Sequence, residues 1–400
     1  MVYLTVCLPT RNRQAYCIKT IEAMAAADGD DFEVIVADNS DDPAPLADYF
    51  ATTLKDSRFR LIPPVPAVLS MVDNWERALK ETRGRWISVI GDDDFIDTRV
   101  TGLIQRLEVL HRDVDSINWD CMIYQWPDNR PTSTLASIPM SSGISVHPKQ
   151  TLADRLFRWS EGKRRPSVGI GIYHGAVRKS LMQRIKASYG DRYFEHPVVD
   201  WDNTCKVVAQ ATKMVHCERP FSVLGACLAS NSAASHSREV MKQRLDTFER
   251  ESKGGIDLVQ PEFPFSLIDP GASVCLTIAT LTAWFCRTYA IDLTGFGPNF
   301  ASAAMDECKY CYTREEYDAK VSCFERGFAL WEGGQWAGLF KPAPFVAPKT
   351  VNELSGLSDD VLHIRETGIA PATPAEFYRF GENAIMPVEH LLAGTKVFAL

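Results

Sequence analysis

Trp86-Ile87-Ser88-Val89-Ile90-Gly91-Asp92-Asp93-Asp94 joins a short hydrophobic run to three consecutive carboxylates. A short apolar run interrupted only by Ser88 reads as a strand buried on both faces. Open α/β sheets bind ligands beyond the carboxyl ends of such strands, so the aspartates mark a candidate site. Upstream, Val2 to Leu8 reads as a strand, Ile18, Ile21 and Ala25 share one helical face, and Phe32 to Ala37 reads as a second strand, which makes one βαβ unit. A third strand is expected around Phe59 to Ile62, closed by Pro63 and Pro64. Ser70 then caps a helix with Asp73 three residues on and Met71, Trp75, Ala78 and Leu79 on its apolar face. Downstream, Leu103, Ile104, Leu107 and Leu110 mark a helix, and Ile117, Trp119, Cys121 and Ile123 alternate as in a strand. Residues 127–148 read as a loop, 168–173 as a strand, and 203–211 as a helix after Asp200 and Asp202. The fold class is α/β. Beyond residue 237 helical periods dominate (Val240, Leu245, Phe248, then Leu276, Ile278, Leu281, Phe285), so residues 1–237 are assigned to one domain and 238–400 to a mainly helical accessory region. Its proline-rich last sixty residues are expected to wrap over other elements without forming a core.

Adjacent carboxylates repel one another, and a divalent cation offsets that repulsion. In an extended segment Asp92 and Asp94 point to one side and Asp93 to the other, which suits Mg²⁺ or Mn²⁺ left partly open for phosphate oxygens. The bland alternative is a solvated acidic turn capping the helix that begins near Thr98.

Several motifs together resemble the family 2 glycosyltransferases, nucleotide-diphospho-sugar transferases of the GT-A fold, over residues 3–235. Pro9, Thr10, Arg11, Asn12 and Arg13 look like the family's P-T-x-N-R loop. The run Val36, Ala37, Asp38, Asn39, Ser40, Asp41, Asp42 resembles V-D-D-G-S-x-D, with Asp38 at the second acidic position and Ala37 in place of the first. Asn74 matches the asparagine of an A-R-N segment in which Asp73 replaces the arginine. Residues 91–94 correspond to the metal motif D-x-D, Gly91 standing at its first acidic position, so alignment favours Asp93 as ligand while alternation favours Asp92 and Asp94. Val199, Asp200, Trp201 and Asp202 resemble E-D-x-D, whose aspartate is the general base, matched by Asp200; Asp202 reads as a helix cap.

The resemblance implies a metal-dependent, inverting glycosyltransferase using Mn²⁺ or Mg²⁺ and a nucleotide-diphospho-sugar, with a UDP-sugar as the expected donor. It assigns donor contacts to Pro9, Thr10, Arg11, Arg13, Asp38, Asn39, Asn74, Asp92 and Asp93, and metal ligation to Asp92, Asp93, Asp94 and His236 of the polar loop after residue 229. A nucleotidyltransferase and a non-catalytic sugar-nucleotide or glycan-binding module are the alternatives. The absence of a glycine in residues 9–13 argues against the first.

A net charge of −8 excludes bulk polyanion binding, so an anionic partner must be met locally. Arg155, Arg158, Lys163, Arg164 and Arg165, with Phe157 and Trp159, form the one basic stretch that opposes this charge. It reads either as a solvated face or as a contact for an anionic acceptor, a lipid phosphate or nucleic acid, in place of a neutral glycan. Eleven scattered cysteines suit a reducing compartment, and the C-x-x-C of Cys308 and Cys311 reads as buried helix cysteines. Residues 272–291 are too polar for a membrane span and read as a buried helix. A cytoplasmic protein, able to sit peripherally at the inner membrane surface, is expected, and no stable protein partner is indicated.

Overall fold

The computed structural model describes residues 2–129, 134–230, 243, 246–247, 250–251, 262–265, 273–349, 351–366, 369–394 and 398–399. The chain opens with β1 (Leu4–Thr10), α1 (Gln14–Ala25), β2 (Phe32–Asp38), α2 (Ala44–Asp48), β3 (Phe59–Ile62) and α3 (Met71–Lys80). It continues through β4 (Trp86–Val89), β5 (Phe95–Ile96), α4 (Val100–Leu110) and β6 (Val114–Gln125). Then come β7 (Leu135–Pro139), β8 (Ile144–His147), α5 (Lys149–Phe157), β9 (Gly175–Arg178), α6 (Lys179–Ser188), α7 (Val199–Gln210) and β10 (Lys213–Ala226). After it lie the helices α8 (Val274–Thr288), α9 (Phe296–Cys308) and α10 (Arg314–Leu330), and the strands β11 (Gly356–Ser358) and β12 (Val361–Arg365).

Strands β3, β2, β1 and β4 lie side by side and parallel. Their apolar runs are buried on both faces because helices cover both. β1 is the topological switch point: β2 and β3 continue to one side of it and β4 to the other. β9 then pairs antiparallel with β4 and β6, and β10 runs parallel to β6. The carboxyl ends of β1 and β4 therefore meet where the crevice opens.

Three sequence expectations change. Residues 168–173 are not a strand: Ile172 N–H donates to Asn203 Oδ1 at 2.6 Å and the Ile170 carbonyl accepts from Thr204, so these backbone groups are spent on α7. Gly169 and His174 adopt positive φ (55° and 50°), and β9 starts only after them. The expected loop at 127–148 contains β7 and β8, with Ala136 and Ile138 buried in alternation. The proline-rich tail enters a core. Residues Ala375, Phe377, Tyr378, Val388 and Leu391 join the cluster built on β1, β2 and α4, and β12 extends the main sheet by pairing with β7. Short helices between prolines supply those side chains, a period too brief to show in the sequence.

Helices α8, α9 and α10 enclose an aromatic core of Phe296, Phe300, Phe324, Phe328 and Trp331, onto which Trp159 packs. The segment read as a buried helix is α8, buried along most of its length, and among the described residues no helix is long and apolar enough to cross a membrane. Cys308, Cys311 and Cys323 are buried, and none of them forms a disulfide among the described residues.

Candidate active site

Ser70 Oγ accepts from the Asp73 N–H at 3.1 Å, which starts α3 and points Asn74 and Trp75 at the sheet edge. There a cavity of about 400 Å³ is lined by Pro9, Thr10, Arg11, Arg13, Asn39, Leu69, Met71, Asn74 and Trp75, with Ala229, Gln243, Thr247 and Glu251 opposite. Six residues expected to hold the donor thus share one wall. The two asparagines already use part of their amide groups within the wall itself. Asn39 exchanges both amide groups with the Leu69 backbone (2.9 and 3.1 Å). Asn74 donates to the Ala37 carbonyl at 3.1 Å and accepts from Arg77 at 2.6 Å. Asp38 is fully buried behind this wall; Oδ1 accepts from Ser40 N–H at 2.9 Å, while Oδ2 has no hydrogen-bond partner among the described residues. Arg11 pairs with Glu251 across the cavity. Asp73, at the position of the expected arginine, pairs outward with Arg192 at 2.7 Å and stays away from the cavity.

The strand ends at Val89, and residues 91–94 form a turn closed by Asp94 N–H to the Gly91 carbonyl at 3.2 Å. Side-chain alternation therefore does not apply, and the arrangement in which Asp92 and Asp94 share one side is corrected. Asp92 accepts from Thr10 Oγ1 at 2.6 Å and ion-pairs with Arg13 at 2.8 Å; burial pushes it up to about 7 against the pull of Arg13. Asp93 lies on the same side, 3.4 Å from Arg13 through Oδ1, while Oδ2 accepts from Cys227 N–H (3.1 Å) and Ser230 Oγ. Asp94 turns the other way. It accepts from Gly91 N–H (2.7 Å), Gly225 N–H (2.7 Å), Tyr173 OH (2.7 Å) and His174 Nε2 (2.9 Å).

Two glycines make this packing feasible. A Cβ at Gly225 would lie 1.8 Å from the Asp93 carbonyl oxygen, and one at Gly91 2.8 Å from Asp94 Oδ2. Gly91 replaces the motif's first acidic residue at a point where a side chain would strike Asp94. Burial works to raise Asp94, yet His174, Tyr173 and Gly225 hold it below the ordinary range. Burial likewise opposes the charge on His174, but Cys121 and Asp94 carry it up to about 10. Neither Tyr173 nor His174 carries a sequence signal, since their roles arise from a non-periodic segment.

Asp200 and Asp202 both lie in the first turn of α7, which begins four residues earlier than expected. Asp202 is not its cap. It is fully buried, accepts from Glu195 N–H (2.7 Å) and His196 N–H (3.3 Å), and pairs with buried Lys206 at 3.1 Å, so it anchors the preceding loop. Asp200 is half-buried, and desolvation raises it against the helix N–H groups and Arg165. Tyr173 joins the two acidic clusters: it hydrogen-bonds Asp94 and feels the charges of Asp93 and Asp200. Among the described residues no three His, Cys, Asp or Glu side chains converge as a ready metal site. His236 lies outside the described residues.

A parallel sheet with a nucleotide-sized cavity at its switch point and carboxylates along the same edge defines a GT-A-type sugar-nucleotide transferase fold. Residues 5–172, less than half of the chain, match the model of glycosyl transferase family 2, and this segment is a glycosyltransferase domain. Solved structures similar to it include S. aureus TarS 1–349 in complex with UDP-GlcNAc, at 15% identity over 82% of this chain and 84% of that one, TM-score 0.43. Mannosyltransferase PcManGT from Pyrobaculum calidifontis, in complex with GDP-Man and Mn²⁺, is similar at 14% identity over 84% and 83% of the two chains, TM-score 0.37. No curated protein matches the chain.

Proposed function

We propose that the protein moves a glycosyl group from a nucleoside-diphosphate sugar, a UDP-sugar first among candidates, to an acceptor hydroxyl with inversion at the anomeric carbon. The observation that carries this reading is the switch-point cavity, with Arg11 and Arg13 on one wall and Asp93 beside it. A nucleobase N–H is the group that would satisfy the orphaned Asp38 Oδ2. Arg11 and Arg13 meet the diphosphate.

The residues suit a divalent cation in a narrower form than the sequence suggests. Asp94 is excluded because four donors take its oxygens. Asp93 Oδ1, 3.4 Å from Arg13, and Asp92 Oδ1, 2.8 Å from the same guanidinium and without a hydrogen bond among the described residues, are the carboxylate oxygens with capacity left. One carboxylate plus diphosphate oxygens is a common Mg²⁺ or Mn²⁺ arrangement. When bound, the cation neutralises charge on the departing diphosphate. Asp200 accepts the acceptor hydroxyl's proton as its oxygen bonds to the anomeric carbon, and the bond to the diphosphate breaks on the opposite face. Burial makes Asp200 a stronger base than a solvated aspartate.

Calorimetric titration with UDP and GDP, with and without Mn²⁺, tests the donor site. Binding that strengthens with Mn²⁺ and loses that increment in Asp93→Ala is expected. No binding of either nucleotide under any condition overturns the reading.

A further inference from the structure

The basic stretch is largely neutralised by its surroundings. Arg155 pairs with Glu161 at 3.4 Å, and Arg158 with Asp154 at 3.1 Å and Asp292 at 2.6 Å. Lys163 reaches Glu161 at 3.8 Å; Arg164 lies 3.5 Å over the Tyr310 ring and 3.9 Å from Glu307 on α9. These side chains fasten the stretch to the helical region. Arg165 is the exception: exposed, with no ion pair among the described residues, its guanidinium sits 5.5 Å over the ring of Trp201.

Trp201 follows Asp200 directly and packs against both the sheet-side core and the helical core, so its position is fixed from two sides. Arg165 is also near enough to stabilise the charged form of Asp200. A cation beside a general base weakens that base, a cost that needs a compensating use. A guanidinium stacked on an indole presents a pre-ordered, planar set of donors suited to phosphate or carboxylate. In a protein of net charge −8, an anion approaching the acidic edge would otherwise meet repulsion.

Resting on the reading of Asp200 as base, we propose that Arg165 and Trp201 form an acceptor subsite for a sugar or polyol carrying a phosphate or carboxylate near the reacting hydroxyl. The hydroxyl must touch Asp200, and Arg165, which acts on Asp200 and lies over the Trp201 ring, links the two. The indole supplies an apolar face for the carbon skeleton and Arg165 takes the anion.

Transfer from radiolabelled UDP-sugars would be measured with glucose, glucose 6-phosphate and glucuronic acid as acceptors, alongside calorimetric nucleotide affinity. The expected result is a KM at least about tenfold lower for one or both anionic acceptors than for glucose, the worth of a charge-assisted hydrogen bond. That advantage should fall as salt rises, vanish in Arg165→Ser and return in part in Arg165→Lys, with nucleotide affinity unchanged. The two anionic arms separate phosphate from carboxylate. With nucleotide binding intact, equal KM values, transfer to none of the three acceptors, or an advantage that survives in Arg165→Ser would overturn this subsite alone. Loss of nucleotide binding in the parent protein would instead bring down the donor reading, and the subsite with it.

Discussion

The turn after β4 and the first turn of α7 each present closely spaced aspartates, and the two divide their labour in the same way. In the turn, Asp94 accepts four hydrogen bonds while Asp93 keeps an oxygen with capacity. In α7, Asp202 is buried against Lys206 and two backbone N–H groups while Asp200, among the described residues, carries no side-chain partner beyond its own helix terminus and the charge of Arg165. Each cluster thus pairs a carboxylate that builds the scaffold with one that has acceptor capacity left. Contacts with the rest of the fold distinguish them, although Asp202 Oδ1 is itself buried without a hydrogen-bond partner among the described residues; residue type and spacing do not.

The largest expected effect tests the spare member of the helical cluster. Asp200→Asn should lower turnover by roughly 10²- to 10⁴-fold, the range that general-base catalysis supplies, while leaving nucleotide affinity and the thermal midpoint nearly unchanged. Single-turnover kinetics with saturating donor would read the first and calorimetry the second. Turnover that survives moves the base to Glu195, the nearby carboxylate that already pairs with Lys206 at 2.8 Å and accepts from Tyr289.

This difference in contacts explains what the sequence could convey. The strands β1, β2 and β4 were legible because each is a mostly apolar run buried along its whole length, and β3 because two prolines follow it. The cavity wall was legible because its residues sit at fixed offsets from strand ends. Which aspartate does what was not, because it depends on donors that arrive from distant segments: Gly225, Ser230 and Cys227 near the end of β10, and Tyr173 and His174 from a stretch without period. Extended-chain alternation failed at residues 91–94 because the backbone turns there. The tail's contribution to the core was hidden for a related reason, since two short helices between prolines bury single faces only.

A smaller but still large effect is expected from the saturated member of the turn. Asp94→Ala leaves His174 buried without its carboxylate, and breaking such a pair costs about 3–5 kcal/mol, read by urea unfolding near neutral pH. The pH dependence has a definite sign. His174 is raised from 6.5 to about 10 in the folded protein, so the pair's contribution is complete below 6.5 and lost as pH rises through 10. Asp94 is held below 3.8, so the contribution is also lost as pH falls through that depressed value. The stability gap between parent and variant should therefore be widest near pH 5–6 and narrow towards pH 10. A gap that stays flat across that range would remove the buried charge pair from the argument.

The smallest effect concerns a third aspartate, one spent on the surface. Asp73 stands where the resemblance calls for an arginine, yet its partners are Ser70, whose hydroxyl donates to it at 2.8 Å, and Arg192 at 2.7 Å, with both charged side chains about half exposed (47% and 48%). Exposed pairs contribute little because water and salt screen them and two long side chains must be held still. The reciprocal contact with Ser70 adds a helix-capping contribution of modest size. Asp73→Ala should therefore lower stability by about 0.5–1 kcal/mol, part of it lost in high salt, with no change in UDP affinity. Thermal melts at two salt concentrations and one nucleotide titration decide the matter. If nucleotide affinity falls by tenfold or more, Asp73 reaches the donor through Asn74 and Trp75, and contacts with the rest of the fold alone no longer separate scaffold carboxylates from working ones.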